Sequence, residues 1–214
     1  SHPMPSLPTE LSEQIDNAAG NLLLVLLTLL AMSGLSASFS AFLVAEAASS
    51  SKLVQLAAGA PRLAFWVANY AFDFGLSCVV LLSTVLLFSL SGLPGLTGGS
   101  VGALCALLIA FGLSAVPLTY CLHFLYNDEM EALQGINTIL TTVGILGFLV
   151  VWILESIYNL LLSPQILKVA TVMKAVLRVV SPHFCLGRGI FQLIGSEGVD
   201  PWEREVCALP HSQG

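Results

Sequence analysis

FGLSCVVLLSTVLLFSLSGLPGLTGGSVGALCALLIAFGLSAVPLTYCLHFLYN, residues 74–127, is a run of 54 residues without one charged side chain, closed at its ends by Asp73 and Asp128. An α-helix rises about 1.5 Å per residue and the hydrocarbon core of a bilayer is about 30 Å thick, so about 20 apolar residues make one crossing. The run is too long for one crossing and long enough for two. It breaks at Ser91-Gly92-Leu93-Pro94-Gly95-Leu96-Thr97-Gly98-Gly99, where glycine and proline end helices at little cost. Two further charge-free runs, 29 residues between Asp16 and Glu46 and 23 between Glu131 and Glu155, each fit one crossing.

The pattern predicts four spans, at about 20–45, 63–90, 100–125 and 133–156, joined by segments 46–62, 91–99 and 126–132. Composition agrees. Of 214 residues, 56% are hydrophobic and 9% charged, against about a quarter charged in soluble domains, and the mean hydropathy is +0.89. An ordinary globular enzyme and a disordered chain are excluded. So is a nucleic-acid binder, because a net charge of −6 provides no basic stripe to meet phosphates. The class is an all-α polytopic membrane protein.

Beyond the fourth span, apolar pieces at about 165–180 and 185–195 are too short to cross. The first is amphipathic, with Lys174 and Arg178 as i,i+4 neighbours, and Pro182 breaks it from the second. Helix, break and short helix fit either a re-entrant hairpin or a pair of interfacial helices. Segment 46–62 carries a short apolar stripe of Leu53, Leu56 and Ala57 at i, i+3, i+4, largely avoided by Lys52, Gln55 and Gly59. A helix there can lie along the membrane surface. Ser1 to Asn17 holds three acids and no Lys or Arg, so it lacks the basic start of a signal peptide. Positive-charge counting puts the N-terminus outside and 46–62, with Lys52 and Arg62, in the cytoplasm. The basic residues Lys168, Lys174, Arg178, Arg188 and Arg204 then fall on the outer side, against the rule.

Catalytic patterns are absent from the sequence: no P-loop, no Gly-x-Ser-x-Gly elbow and no His-Glu-x-x-His. No metal site is expected, since His183 and Cys185 fall short of the four ligands of structural zinc. Asp128, Glu129 and Glu131 read as a solvated turn. Cys207 is a candidate for an extracytoplasmic disulfide. Trp66, Asn69 and Asp73, spaced i, i+3, i+7, share a helix face, and Asp73 lies eleven residues beyond Arg62, about 16 Å into its span. Either this is an intramembrane polar face that lines a pathway or locks two helices, or the span is shifted and Asp73 sits near the interface. Glu155, beside Trp152 and Tyr158, reads as a boundary carboxylate in an aromatic belt.

Several stretches resemble the membrane bundle of subfamily A ABC transporters. Lys52-Leu-Val-Gln55-Leu-Ala-Ala-Gly59 followed by Trp66-Val-Ala-Asn69-Tyr-Ala-Phe-Asp73 is similar to that family's Lys-x-x-Gln-x-x-x-Gly and Trp-x-x-Asn-x-x-x-Asp, with Glu46 at the leading acid. Pro117-Leu-Thr-Tyr120-Cys-Leu-His-Phe124-Leu and Ile153-Leu154-Glu155 resemble later motifs. Ser181-Pro182-His183-Phe184-Cys185-Leu186-Gly187-Arg188-Gly189 is close to Phe-Pro-x-Phe-Cys-Leu-Gly-Arg-Gly.

The resemblance implies that 1–19 ends an extracytoplasmic domain, 20–195 is a partial transporter membrane domain, and 196–214 is a polar tail. Segment 46–62, with Glu46, Lys52, Gln55 and Gly59, would be the cytoplasmic connecting and coupling helix. Residues 165–195 would be a re-entrant pair on the outer side. The implied function is the membrane part of an ATP-driven lipid or sterol exporter in the plasma membrane or an internal membrane. ATP and Mg2+ would bind a nucleotide-binding domain elsewhere, beside a second membrane domain. A non-transporting scaffold or regulatory half is the competing expectation. The start at Ser1, and the lack of a motor domain and of a last helix after Pro201, suggest a gene fragment, a split subunit or a degenerate copy.

Overall fold

The computed structural model describes residues 9–48, 57–59, 61–91, 96 and 100–196. Among them there are helices and no strand. In chain order they are α1 (Thr9–Ala48), α2 (Arg62–Ser91), α3 (Val101–Leu122, followed by a 3-10 turn His123–Leu125), α4 (Glu129–Leu161), α5 (Pro164–Val180) and α6 (Pro182–Ser196). Four stretches are long and apolar enough to cross a membrane: Ala18–Glu46, Leu63–Leu90, Val101–Leu125 and Glu129–Leu161. Lys52 and Gln55 of the expected coupling helix, the tail beyond Ser196, and Cys207 lie outside the described residues. Gly59 is in a turn at φ 93, the left-handed region that glycine enters freely.

The fourth span starts earlier than the sequence suggests. Asp128 is extended, and its carboxylate accepts the backbone N–H groups of Met130 (2.9 Å) and Glu131 (3.1 Å). This is an N-cap, and Glu129 and Glu131 in the first turn complement the helix dipole. The three acids are therefore the start of α4 and not a turn before it. Pro117 sits inside α3 and withdraws the N–H that the Leu113 carbonyl would accept. The phenol of Tyr70, on α2, donates to that carbonyl at 3.3 Å. In a membrane, where water cannot satisfy the orphaned group, such a donor makes a proline tolerable.

After α4 the chain turns at Leu162, φ 50, and re-enters with Pro164 at the start of α5. The second turn is built by Ser181 and Pro182. Ser181 is extended, its hydroxyl accepts the Phe184 N–H at 3.2 Å, and Pro182 takes the first helical position, where no N–H is needed. The α5 and α6 axes are bent by 119°. Contacts place the depth of this bend. His183 lies against Ser36 of α1 (3.4 Å), Phe111 of α3 (ring centroids 5.0 Å) and Gly144 of α4. All three are close to the middle of their spans, so α5 descends to mid-depth and α6 climbs back.

α6 is the centre of the bundle. Phe184, Leu186 and Ile190 are fully buried with Val25 and Leu29 of α1, Leu104 and Leu108 of α3, and Phe148 and Val151 of α4. By contrast α2 rests mainly on α3, and most of its apolar length is exposed on the chain's surface. α4 widens into a π turn over Thr142–Leu146, at Gly144, where the His183 side chain presses in. Side-chain intrusion is one cause of such turns.

A methyl group on Gly144 would sit 2.8 Å from the His183 Cβ, whereas Gly34 of α1 has nothing within 4 Å. Gly144→Ala should therefore lower thermal stability in detergent by about 1–2 kcal/mol, overpacking outweighing the gain in helix propensity. Gly34→Ala should leave the midpoint unchanged or raise it. Equal shifts for the two would show that the bend does not press on α4.

Candidate functional site

Burying charge in a low-dielectric bundle is costly unless it is paired. One carboxylate, Glu155 of α4, gathers two cations. Arg188 of α6 forks onto it with both terminal nitrogens, at 2.5 and 2.8 Å, and Lys174 of α5 reaches it at 2.6 Å. The Glu155 side chain is 23% exposed. Instead of facing headgroups as a boundary acid, it turns inward, because the hairpin brings two cations to it. A planar guanidinium on a carboxylate fixes orientation as well as charge. Glu155 thus ties α4, α5 and α6 together.

The motif around Arg188 has a packing explanation. Successive residues on a helix are about 100° apart, so Gly187 and Gly189 lie on nearly opposite sides with Arg188 between them. Leu29 of α1 closes on Gly187, and Leu107 of α3 closes on Gly189; a methyl group on either glycine would lie under 3.0 Å from the leucine. Phe184 and Leu186 fill the core, and Pro182 starts the helix. The Cys185 thiol donates to the Arg178 carbonyl at 3.4 Å, holding α6 to the end of α5. His183 faces Ser36 and Phe111 instead of Cys185's partner. No group of three metal-ligating side chains forms among the described residues.

A second polar cluster joins α2 to α3. Asp73 is 4% exposed and accepts the Tyr120 phenol. Trp66 packs on Tyr120 and His123, with ring centroids 6.0 Å away in each case, and on Phe124 at 6.3 Å. His123 Nδ1–H donates to the Tyr120 carbonyl at 2.5 Å. The Asn69 amide nitrogen is buried and without a hydrogen-bond acceptor. Asn69 and Asp73 thus belong to one polar face, with Trp66 beside them. Glu46, on the last turns of α1, is half-buried.

Several cross-helix pairings were not foreseen from sequence. Tyr120 and Lys174 partner acids 47 and 19 residues away. A polar seam joins Ser33 to Thr141 (2.6 Å) and Ser36 to His183. The available signal was the presence of Lys174 in an apolar stretch, which demands a counter-charge.

The ion-pair geometry predicts an order of sensitivities. Glu155→Gln leaves two cations unpaired and should cost about 2–4 kcal/mol of stability, somewhat below the loss for a fully buried pair because water reaches part of the site. Lys174→Met keeps the Arg188 fork and should cost about 1 kcal/mol. Unfolding of the double variant Glu155→Gln/Arg188→Gln should show less loss than the sum of the singles. Additive losses would mean that the pair does not couple.

Comparison with known proteins fits this architecture. Residues 1–210 match the family model described as ABC-2 family transporter protein. The chain is 30% identical over 207 residues to ATP-binding cassette sub-family A member 7 of Rattus norvegicus, covering 95% of this chain and 9% of that protein. It is 28% identical over 206 residues to the Homo sapiens phospholipid-transporting ATPase ABCA7, covering 95% of this chain and 9% of the relative. To the Homo sapiens retinal-specific phospholipid-transporting ATPase ABCA4 it is 29% identical over 171 residues, covering 78% of this chain and 7% of that protein. The chain spans less than a tenth of the length of these curated relatives. On the match across residues 1–210, the chain belongs to the ABC-2 transporter family, and its relatives there are integral membrane proteins of ABC sub-family A.

Proposed function

We propose that this chain is the membrane-domain part of an ATP-driven lipid exporter, forming part of the translocation pathway and taking its drive from a separate nucleotide-binding domain. The observation that carries the reading is the family match across residues 1–210, joined to a hairpin whose Gly187-Arg188-Gly189 is packed on two sides and clasped by Glu155. Two of the relatives are named as phospholipid-transporting ATPases. The substrate is a lipid or sterol, and ATP with Mg2+ binds the partner domain. A second membrane domain completes the pathway.

Mechanical continuity supports coupling. α1 runs without interruption from Thr9 to Ala48. Its cytoplasmic end leads into segment 46–62, the proposed docking element with Glu46, Lys52, Gln55 and Gly59. Its middle holds Ser36, against the His183 bend. A push at one end is therefore delivered along one helix to the hairpin. The Trp66, Asn69 and Asp73 face, pinned to α3 through Tyr120, is the second polar element of the pathway.

Sidedness is tested in a cysteine-free background with an impermeant thiol reagent. Asn127→Cys should label only from the cytoplasm, and Ser163→Cys only from outside. The reverse pattern would overturn the orientation.

Coupling is tested by ATP-dependent export of a fluorescent phospholipid from proteoliposomes holding this chain with its nucleotide-binding and second membrane domains. Lys52→Glu should reduce export about tenfold through loss of docking, an effect of one charge-assisted contact turned repulsive. If Lys52→Glu and Gln55→Ala leave both complex formation and export at the unmutated level, segment 46–62 does not couple. If the complex forms and exports nothing, the chain is a scaffold.

A further inference from the structure

The hairpin holds two cations that the ion-pair cluster does not use, Lys168 near the start of α5 and Arg178 deep in it. Residues 157–196 contain Lys168, Lys174, Arg178 and Arg188 and no acid, in a chain whose net charge is −6. Lys174 and Arg188 share Glu155. Arg178 is different: it has no ion pair among the described residues, and its side chain is exposed.

Its depth makes this unusual. α5 runs antiparallel to α4, and Leu177 packs on Gly147, near the middle of the fourth span. Arg178 is the next residue, one turn before the bend that His183 anchors at mid-depth against Ser36, Phe111 and Gly144. The α5 residues around it are apolar and open: Val176 is 55% exposed, Val179 87% and Val180 57%. A guanidinium at that level is too costly to face hydrocarbon and must meet water, protein or a counter-ion.

The surroundings give it a place to meet one. A cleft of about 180 Å³ opens between α3 and the hairpin, lined by Arg178 with Leu107, Phe111 and Ser114 on one wall and Pro182 and Cys185 on the other. The Cys185 thiol holds the Arg178 carbonyl, which fixes the backbone beneath the side chain. The residues that line the cleft are apolar apart from Arg178, Ser114 and the Cys185 thiol, and the Ser114 hydroxyl is already donated to its own helix. One exposed cationic residue in the lining of an otherwise apolar cleft, within a membrane, matches an amphiphile with an anionic head and hydrocarbon tails.

We propose that Arg178 is a phosphate receptor, and that the cleft between α3 and the hairpin bend takes the phosphate of a lipid headgroup while the exposed valines of α5 and Leu107 contact its chains. The site deepens the lipid-export reading by giving the substrate an anionic phosphate, and it rests on that reading only for its place on a transport route. A guanidinium pairs with a phosphate through two parallel N–H donors, so the site selects for the group as well as for its charge.

The test measures binding alone, so failure of export and failure of this site are separate results. The full chain, reconstituted in phosphatidylcholine nanodiscs without nucleotide, is photolabelled with diazirine-bearing phosphatidic acid or with diacylglycerol carrying the same diazirine. Labelled peptides are mapped by mass spectrometry. Phosphatidic acid should label residues 107–114 and 178–186, and Arg178→Gln should reduce that labelling about five- to tenfold, the loss of one charge-assisted contact. Arg178→Lys should label between the unmutated protein and Arg178→Gln, because it keeps the charge and loses the two parallel donors. The thermal midpoint of Arg178→Gln should be unchanged, because no ion pair within the described residues is removed. Equal labelling of Arg178→Gln and the unmutated chain overturns the proposal and assigns Arg178 to a protein carboxylate on a partner helix. Equal labelling by diacylglycerol also overturns it, leaving an acyl-chain groove. Displacement of the label by millimolar inorganic phosphate supports the phosphate site, with a water-borne ion as its occupant; resistance to it supports the lipid.

Discussion

A broken helix can stay inside a membrane only if its charges and its free backbone groups find partners there. Arg188 on Glu155 is the partner on which this bundle depends. The fork joins the returning arm of the hairpin to the fourth span, and Lys174 joins the descending arm to the same carboxylate. With three helices tied at one residue, the bend is held at mid-depth, the glycines on either side of Arg188 meet Leu29 and Leu107, and α6 becomes the core element. Neutralise the carboxylate and two cations are left in a medium that solvates them poorly. Both faces of α6 then lose the register that brings the leucines into contact.

Much of the fold was legible in the spacing of charges. A gap of 29, 54 or 23 residues has one physical meaning in a chain this apolar, and the break at Ser91–Gly99 divides the long gap. Pro182 marked the bend because a proline opens a helix far more readily than it continues one. The start of the fourth span was less legible. Acids next to a span look like a loop until the Asp128 carboxylate is seen capping the Met130 and Glu131 amides. The π turn at Thr142–Leu146 was hidden altogether, since the side chain that packs on its Gly144, His183, is 39 residues further on.

The candidate site was legible as residues and not as contacts. Asp73 stood out by its depth, and its partner did not, because Tyr120 is 47 residues away on another helix. Glu155 was read from its neighbours Trp152 and Tyr158 along the chain, yet the groups that decide its surroundings are 19 and 33 residues distant. Pairing across helices depends on the rotation and tilt of each, which periodicity does not specify. The same limit hid Tyr70, whose phenol closes the gap left by Pro117.

The hairpin also sets an order of events during biogenesis. α5 and α6 have 17 and 15 residues, each under the about 20 that an insertion machine accepts as a span. Lys174, Arg178 and Arg188 each oppose insertion by about 2.5–3.5 kcal/mol at the centre of a helix. Neither arm can enter the bilayer alone. They can do so only after α1, α3 and α4 stand side by side and offer the slot against Leu29, Leu107 and Gly144, with Glu155 waiting in it. Among the described helices α5 and α6 are thus the last to be buried, and until they dock the nascent chain presents an open, acid-bearing cavity to whatever chaperone or quality-control protease patrols that membrane.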